Sequence, residues 1–318
     1  MNKINTSALI EKYSRFILLL LIVAVMAVLR PEAFWTWRNI STVIFQQAPF
    51  TILMSFGMTM AIITKGIDKS MGSVLVLASC IAGSFIKNNQ IFLGVSITLL
   101  IGLACGFLNG ILITKIGLFP FIATYGVDFI ALGIAYVYTG GISVYDFPMR
   151  FRNVSIGNYY GITNLALITL AIFIALHLLT AKTTFGRKMY SAGFNAQATA
   201  LSGINVKSTI TIVYTINGLL AAITGLLFMA RLNAADPNIG GNFTMDSIAA
   251  TLIGGTSFGG GKGSITNAVV GSLIVVFIRN GMNIMVISAN WQQAAIGFII
   301  LLSIFLEVLS KKVVSRNT

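Results

Sequence analysis

The sequence predicts an all-α protein, a polytopic bundle of about ten transmembrane helices, and three observations lead there. Of its 318 residues 56% are hydrophobic and only 9% charged, whereas soluble domains carry about a quarter charged residues; the mean hydropathy is +0.90. The apolar residues come in runs near the ~20 residues a helix needs to cross a bilayer, without the alternating polar residues of a membrane barrel. Many of the 31 glycines sit inside those runs, where small residues let helices approach closely.

In chain order the runs are Arg15–Leu29, Val43–Thr64, Met71–Ile86, Ile91–Thr114, Phe119–Thr139, Ile162–Thr180, Thr209–Ala230, Ser247–Gly259, Ile265–Ile287 and Trp291–Leu309. No soluble domain separates them, so residues 1–318 read as one transmembrane domain. The first run follows a basic stretch but is followed by Arg30, Pro31 and Glu32 rather than an A-x-A-like cleavage site, which makes it an uncleaved anchor. The first, third and eighth runs are short, and short or glycine-interrupted spans mark broken helices near transport sites.

Charge sets the orientation. With both termini cytoplasmic, fourteen of the 21 basic residues fall on inner loops and ends, six (Arg30, Arg38, Lys87, Arg150, Arg152, Arg231) on outer ones, and Arg279 inside a span; this is the positive-inside bias. The inner set is Lys3, Lys12, Arg15, Lys65, Lys69, Lys115, Lys182, Arg187, Lys188, Lys207, Lys262, Lys311, Lys312 and Arg316. Trp35, Trp37 and Trp291 fall at outer span ends, as an aromatic belt requires. The net charge of +13 is spread over loop ends without a dense patch, which excludes a nucleic-acid partner and leaves membrane lipid as the surrounding medium.

Catalytic and metal chemistry find no residues to carry them. The sequence has no nucleophile elbow, no H-E-x-x-H and no carboxylate pair at a usable spacing. Cys80 and Cys105 lie inside apolar runs and read as small buried hydrophobes, and His177, the one histidine, as an interfacial residue. Gly259–Ser264 imitates a phosphate-binding loop, but its lysine is followed by glycine and no strand precedes it, so the chain is not expected to hydrolyse ATP, and any ATP that energises it is bound by another subunit.

Four motifs carry a resemblance over nearly the whole chain. Thr64–Ser73 (TKGIDKSMGS) is similar to T-x-G-I-D-L-S-V-G-S. Asn109–Thr114 with Phe119–Gly126 is similar to N-G-x-x-I…x-P-F-I-x-T-L-G. The stretch TTFGRKMYSAGFNAQATALSGI is similar to T-x-F-G-R-x-I-Y-A-I-G-G-N-x-x-A-A-x-x-S-G-I, and Asp246–Ser264 to L-D-A-I-A-A-x-V-I-G-G-T-S-x-x-G-G-x-G-S. Together and in this order they resemble the integral-membrane permease of bacterial monosaccharide ABC importers, the ribose, galactose, arabinose and xylose type. The resemblance implies a location in the bacterial cytoplasmic membrane. Its implied partners are a second permease copy (identical or a close paralogue), an ABC ATPase subunit holding ATP and Mg, and a periplasmic or lipid-anchored sugar-binding protein. This chain itself then needs no cofactor and is no enzyme. Within the class a nucleoside, a furanose signal molecule or a branched amino acid are alternative cargoes; outside it, an ion-coupled secondary transporter would need a carboxylate site, for which Asp128 is the candidate.

Residues Lys182–Lys207 form a polar island between apolar runs, with four basic residues and no acidic one. The resemblance gives it the role of a cytoplasmic coupling loop that docks a short helix, here Asn195–Gly203, into a cleft on the ATPase. Asn195 suits the helix cap, Ala196, Ala198 and Ala200 a slim helix, and Gly203 its stop. Gly186, Arg187, Lys188 and Gly193 complete the coupling set. Members of the family often carry Glu after the Asn where this chain has Ala196–Gln197, so docking rests on shape and on the basic flank.

Pathway or gate candidates are Asp68, Ser70, Asn109, Asp128 and Arg279. Asp68 reads either as a gate element or as the N-cap of the third span with Lys65 or Lys69 as counter-ion. Asp128 departs from the family pattern, as does Leu132 where an Arg is usual. Its carboxylate pairs with Arg279, lines a wet cavity and meets sugar hydroxyls, or lies nearer the surface. The outer stretches Gly140–Gly161 and Leu232–Phe243, with Asp146, Arg150, Arg152, Arg231 and Asp236, are the candidate contacts for the binding protein.

Overall fold

The computed structural model describes the backbone of residues 6–316 and the side chains of 15–305. Of the basic residues counted above, Lys3 lies outside the described residues, as do the side chains of Lys12, Lys311, Lys312 and Arg316. The elements in order are α1 (Thr6–Leu29), α2 (Pro31–Phe34), α3 (Trp37–Thr42), a π-turn at Val43–Gln47 running into α4 (Ala48–Ile63), α5 (Met71–Lys87) and α6 (Ile91–Ile111) with a second π-turn at Leu112–Ile116. They continue with α7 (Pro120–Thr139), β1 (Val144–Tyr145), α8 (Met149–Ile156), β2 (Asn158–Tyr159), β3 (Ile162–Thr163), α9 (Asn164–Lys182), α10 (Thr184–Phe194) and α11 (Ala196–Leu201). The chain ends with α12 (Val206–Leu232), β4 (Ala234–Ala235), α13 (Gly241–Ile253), α14 (Ile265–Ile284) and α15 (Ala289–Arg316).

Helices occupy every apolar run, and among the described residues 6 of them are long and apolar enough to cross a membrane; Arg15–Leu29, Met71–Lys87 and Ala289–Phe305 are shorter apolar helices. The eighth run needs correction. Its helix covers Gly241–Ile253, only 13 residues, or about 20 Å, and the expected stretch to Gly259 is a glycine-rich loop instead. The helix takes in Asp246, which the expected run left out, and Arg279 of α14 neutralises it there.

The centre of the bundle is α4, in which every residue from Ala48 to Ile63 is buried. Its polar residues are matched across helices: Ser55 Oγ lies 2.8 Å from Ser272 Oγ of α14, and Thr59 Oγ1 3.3 Å from Thr251 Oγ1 of α13. Such pairs satisfy groups that would otherwise be stranded among apolar neighbours.

A second seam joins α6 to α12. On α6 the buried positions Gly94, Thr98, Gly102, Gly106 and Gly110 recur every fourth residue, one stripe of the helix, while Phe92, Leu100 and Phe107 on other faces are exposed. A Cβ on Gly102 would lie 2.7 Å from the Gly218 carbonyl, one on Gly110 2.8 Å from Thr211 Cα, and one on Gly106 would overlap the Tyr214 carbonyl. The backbones meet with no side chain between them, the small-xxx-small solution to packing without a hydrophobic drive.

Gly106→Leu is expected to destabilise the purified protein by more than about 2 kcal/mol through overpacking, read as a lower melting temperature in detergent. Gly297→Ala on α15, where no atom lies within 4 Å of the added Cβ, is the control that leaves melting unchanged.

Candidate functional site

The connection from α4 to α5 builds the first part of the site. Thr64 Oγ1 donates to the Ala61 carbonyl at 2.9 Å, and Lys65 then turns the chain with φ +64°. A side chain on Gly66 would overlap the Tyr214 hydroxyl, so the backbone passes flush against α12. Asp68 follows, 1% exposed. Its Oδ1 accepts from the Ser70 amide at 2.9 Å and from Ser70 Oγ at 2.6 Å, and its Oδ2 from Asn217 Nδ2 of α12 at 2.7 Å. Ser70 Oγ in turn accepts from Asn109 Nδ2 of α6 at 2.8 Å.

This corrects the reading of Asp68 as a cap with a lysine counter-ion. Ser70 holds the N-cap position of α5, without a side-chain cap bond; Asp68 closes a local turn two residues earlier. Lys65 donates to the Phe194 carbonyl at 3.2 Å and Lys69 reaches Asp128. No cation within ion-pairing distance faces the carboxylate among the described residues. Burial pushes the Asp68 carboxyl up from 3.8 to about 6, against the lowering effect of its bonds from Ser70 and Asn217, with a smaller upward push from the Asp128 charge. Beside it the Oδ1 atoms of Asn109 and Asn217 and the Tyr214 hydroxyl are buried without hydrogen-bond partners.

The second part is on α7. Thr124 Oγ1 accepts from the Lys69 amide at 3.0 Å. Asp128 sits one helical turn further on, its Oδ2 3.1 Å from Lys69 Nζ and its Oδ1 accepting from Ser73 Oγ at 2.6 Å. The pairing of Asp128 with Arg279 is therefore overturned. Arg279 Nη2 donates to Asp246 Oδ1 at 2.6 Å and Nη1 to Gln292 Oε1 at 3.5 Å, tying α13, α14 and α15. Each intramembrane charge takes the opposite charge that tertiary packing brings nearest, as charge in a low-dielectric interior requires.

The polar island folds as two helices. Thr183 Oγ1 accepts from the Gly186 amide to start α10, which buries Gly186, Met189, Ala192 and Gly193 and leaves Arg187 and Lys188 exposed. Asn195 caps α11, its Oδ1 accepting from the Ala198 amide at 3.0 Å, and Gly203 leaves it with φ +80°, as the sequence led one to expect. On α11, Ala198 is exposed and Leu201 is 90% exposed; Phe194 just before the cap is 75% exposed. An open groove of about 430 Å³ runs alongside, lined by Tyr190, Phe194, Asn195, Ala198 and Ser202 among others. Gly193 lies differently: a Cβ there would overlap the Ile63 carbonyl at the end of α4, so it is a packing position.

At the opposite end of the bundle the two stretches named as outer contacts are joined to each other. β1 pairs antiparallel with β4, Val144 opposite Ala235 and Tyr145 opposite Ala234. The Phe147 amide donates to Asn233 Oδ1 at 2.9 Å, and Tyr136 Oη to Asn238 Oδ1 at 2.7 Å. Asp146 and Arg150 are exposed, Arg152 and Asp236 partly so. Arg231 turns inward, donating to the Gln46 carbonyl and, at 3.2 Å, to Gln46 Oε1.

Residues 39–304 match the family described as the permease component of the branched-chain amino acid transport system. The chain belongs to this permease family. It is similar over its length to the D-allose transport system permease of Escherichia coli K12, at 38% identity covering 95% of this chain and 93% of that one. The ribose import permease of Bacillus subtilis 168 is 34% identical, covering 96% and 95%. The autoinducer 2 import system permease of Photorhabdus luminescens is 30% identical, covering 82% and 79%. No solved structure matches the chain. As a permease the protein is a transporter subunit of the inner membrane, with several crossings, and no enzyme. Among the described residues no cluster of His, Cys, Asp or Glu could hold a metal ion, and Cys80 and Cys105 are free.

Sequence reasoning missed Asn217, Tyr214, Ser73, Thr124 and Asp246 in this permease. A polar residue in the middle of an apolar run, as Asn217 is, was the available signal.

Asp68 generates a pH prediction. Burial lifts its carboxyl in the folded protein from the ordinary 3.8 to about 6, so the folded protein holds the proton more tightly. The stability this adds is fully present below about pH 4 and is lost as pH rises through about 6, a change of about 2–3 kcal/mol. The melting temperature of the permease in detergent is expected to fall between pH 4 and pH 7 on that account, and Asp68→Asn to remove that part of the fall. An identical pH profile in the Asn variant would contradict it.

Proposed function

We propose that the chain is the membrane-spanning subunit of a binding-protein-dependent ABC importer for a monosaccharide, an aldose of the ribose or allose kind. The relatives' names supply the cargo class, and they align over nearly the full length of both chains. The observation that carries the mechanism is α11: a capped, six-residue helix presenting Ala198 and Leu201 to solvent beside Phe194. A water-facing helix this short has no stability of its own, and its exposed apolar residues await a partner.

In this reading the termini and α10–α11 face the cytoplasm and ten helices cross. Phe194, Ala198 and Leu201 dock on the ATPase subunit, which binds ATP and Mg, with Arg187 and Lys188 flanking. The β1–β4 platform, with Asp146 and Arg150, meets the sugar-binding protein, and Arg231 supports it from beneath. A second permease, identical or a close paralogue, completes the pore. Asp68, Ser70 and Asn109 form the inner gate, and Asp128 with Lys69 lines the pathway beside it. The autoinducer 2 relative keeps a furanose-like signal molecule as the second cargo. The ion-coupled reading is weakened because its carboxylate, Asp128, is already neutralised by Lys69.

In the reconstituted importer, Ala198→Trp is expected to lower binding-protein-stimulated ATPase and sugar uptake by at least about tenfold, the loss of ~1.4 kcal/mol of contact, while the permease itself folds normally. Uptake of labelled D-ribose and D-allose that survives deletion of the ATPase subunit would refute the importer reading.

A further inference from the structure

We infer that Lys65 is a positioning residue for coupling: its ammonium ties the end of α10, where the docking helix begins, to the turn that carries Asp68. The inference rests on the proposed docking of α11. Lys65 Nζ donates to the carbonyl of Phe194 at 3.2 Å, and Phe194 immediately precedes Asn195, the cap of α11. That carbonyl sits at the negative end of the α10 dipole, where a cation is favoured. Three residues after Lys65 in the chain comes the buried Asp68.

Two features separate this contact from an incidental surface hydrogen bond. Lys65 has φ +64°, a region in which glycine or asparagine is the unstrained choice; a lysine held there points to a use for its side chain. Its stem is also packed, since a Cβ on Gly260 would overlap Lys65 Cγ, and the neighbouring Gly261 amide donates to the Ile63 carbonyl at 2.9 Å. The aliphatic chain is thus laid along a fixed loop and its charged end aimed at α10.

The mechanical role follows from what each contact can transmit. Gly193 of α10 lies flush on the Ile63 carbonyl, and a van der Waals contact of this kind transmits a push but not a pull. The Lys65–Phe194 bond resists separation. When the ATPase draws α11 away, Lys65 is the side chain that pulls directly on the turn at Gly66–Asp68, while Tyr190, whose Oη donates to the Gly263 carbonyl at 3.0 Å, pulls on the glycine loop instead; when the ATPase presses α11 inward, Gly193 suffices. Lys65 therefore serves one of the two strokes.

The test uses the complete importer in liposomes, with ATP hydrolysis and sugar uptake measured together. Lys65→Gly and Lys65→Asn both suit the left-handed backbone, so the turn keeps its shape while the bridge is lost; Lys65→Arg restores a charged donor. Both bridge-less variants are expected to co-purify with the ATPase and keep stimulated hydrolysis within about twofold, while uptake per ATP falls about fivefold, the scale of one charged hydrogen bond at a helix end. Lys65→Arg recovers most of the loss. Unchanged uptake per ATP in the Gly and Asn variants, or an Arg variant no better than Gly, would overturn the assignment. Ala198→Trp in parallel separates the two ideas: defective with silent Lys65 variants, it leaves docking standing and removes Lys65; silent itself, it removes the docking on which Lys65 depends.

Discussion

The organisation of the molecule depends on one buried carboxylate that pairs with no cation among the described residues. Asp68 is accommodated by donors from three places: the Ser70 amide and hydroxyl at the start of α5, the Asn217 amide of α12, and, through Ser70, Asn109 of α6. Hydrogen bonds to a buried charge are worth more than neutral ones, and removing a partner is costly. The four segments are therefore held in one register by a group that could not remain there without them. The glycine seam of α6 and α12 makes this possible, because only backbones in contact bring Asn109 and Asn217 to the same turn.

The same turn disposes of its lysines. Lys65, Asp68 and Lys69 are near neighbours in sequence, and a local reading pairs them. The turn at Thr64–Ser70 sends Asp68 into the bundle, Lys65 to α10 and Lys69 to α7. Lys69 and Asp128 then neutralise each other at a partly exposed position, with side chains 17% and 14% exposed. Partly solvated charge on the face of a membrane helix belongs beside water or another chain rather than lipid, which is consistent with a pathway at that face.

The apolar runs were legible because a bilayer demands them: among the described residues, length and hydropathy alone located each of the 6 helices long and apolar enough to cross, usually to within a few residues. The Asn195 cap and the Gly203 stop of α11 were legible for a local reason, since both bonds are made within the same turn of chain. The charge pairs were not. Asp128 with Lys69 and Asp246 with Arg279 join residues far apart in sequence, and nothing in spacing distinguishes them from Asp128 with Arg279. The eighth helix, expected over Ser247–Gly259, lies at Gly241–Ile253 and carries Asp246, whose charge is cancelled by a residue on another helix. Asn217 escaped notice because its hydrogen bond to Asp68 exists only once α12 lies against the turn.

The two ends of the molecule are joined by α12. Its 27 residues make a rod of about 40 Å. One end starts at the Asn205 cap, just after α11, and the other finishes at Arg231 and Asn233, which hold the π-turn and the β1–β4 platform. Asn217, which grips Asp68, lies between them. A partner that moves the α11 end, or one that moves the platform, therefore acts on a helix whose displacement must disturb Asp68. A single rod that runs from α11 to the β1–β4 platform and grips the Asp68 turn on the way links both ends of the molecule to that turn. The buried Oδ1 of Asn217 and the Tyr214 hydroxyl, both on α12, have no hydrogen-bond partner among the described residues, so on this helix it is the Asn217 amide bond to Asp68 that fixes the turn.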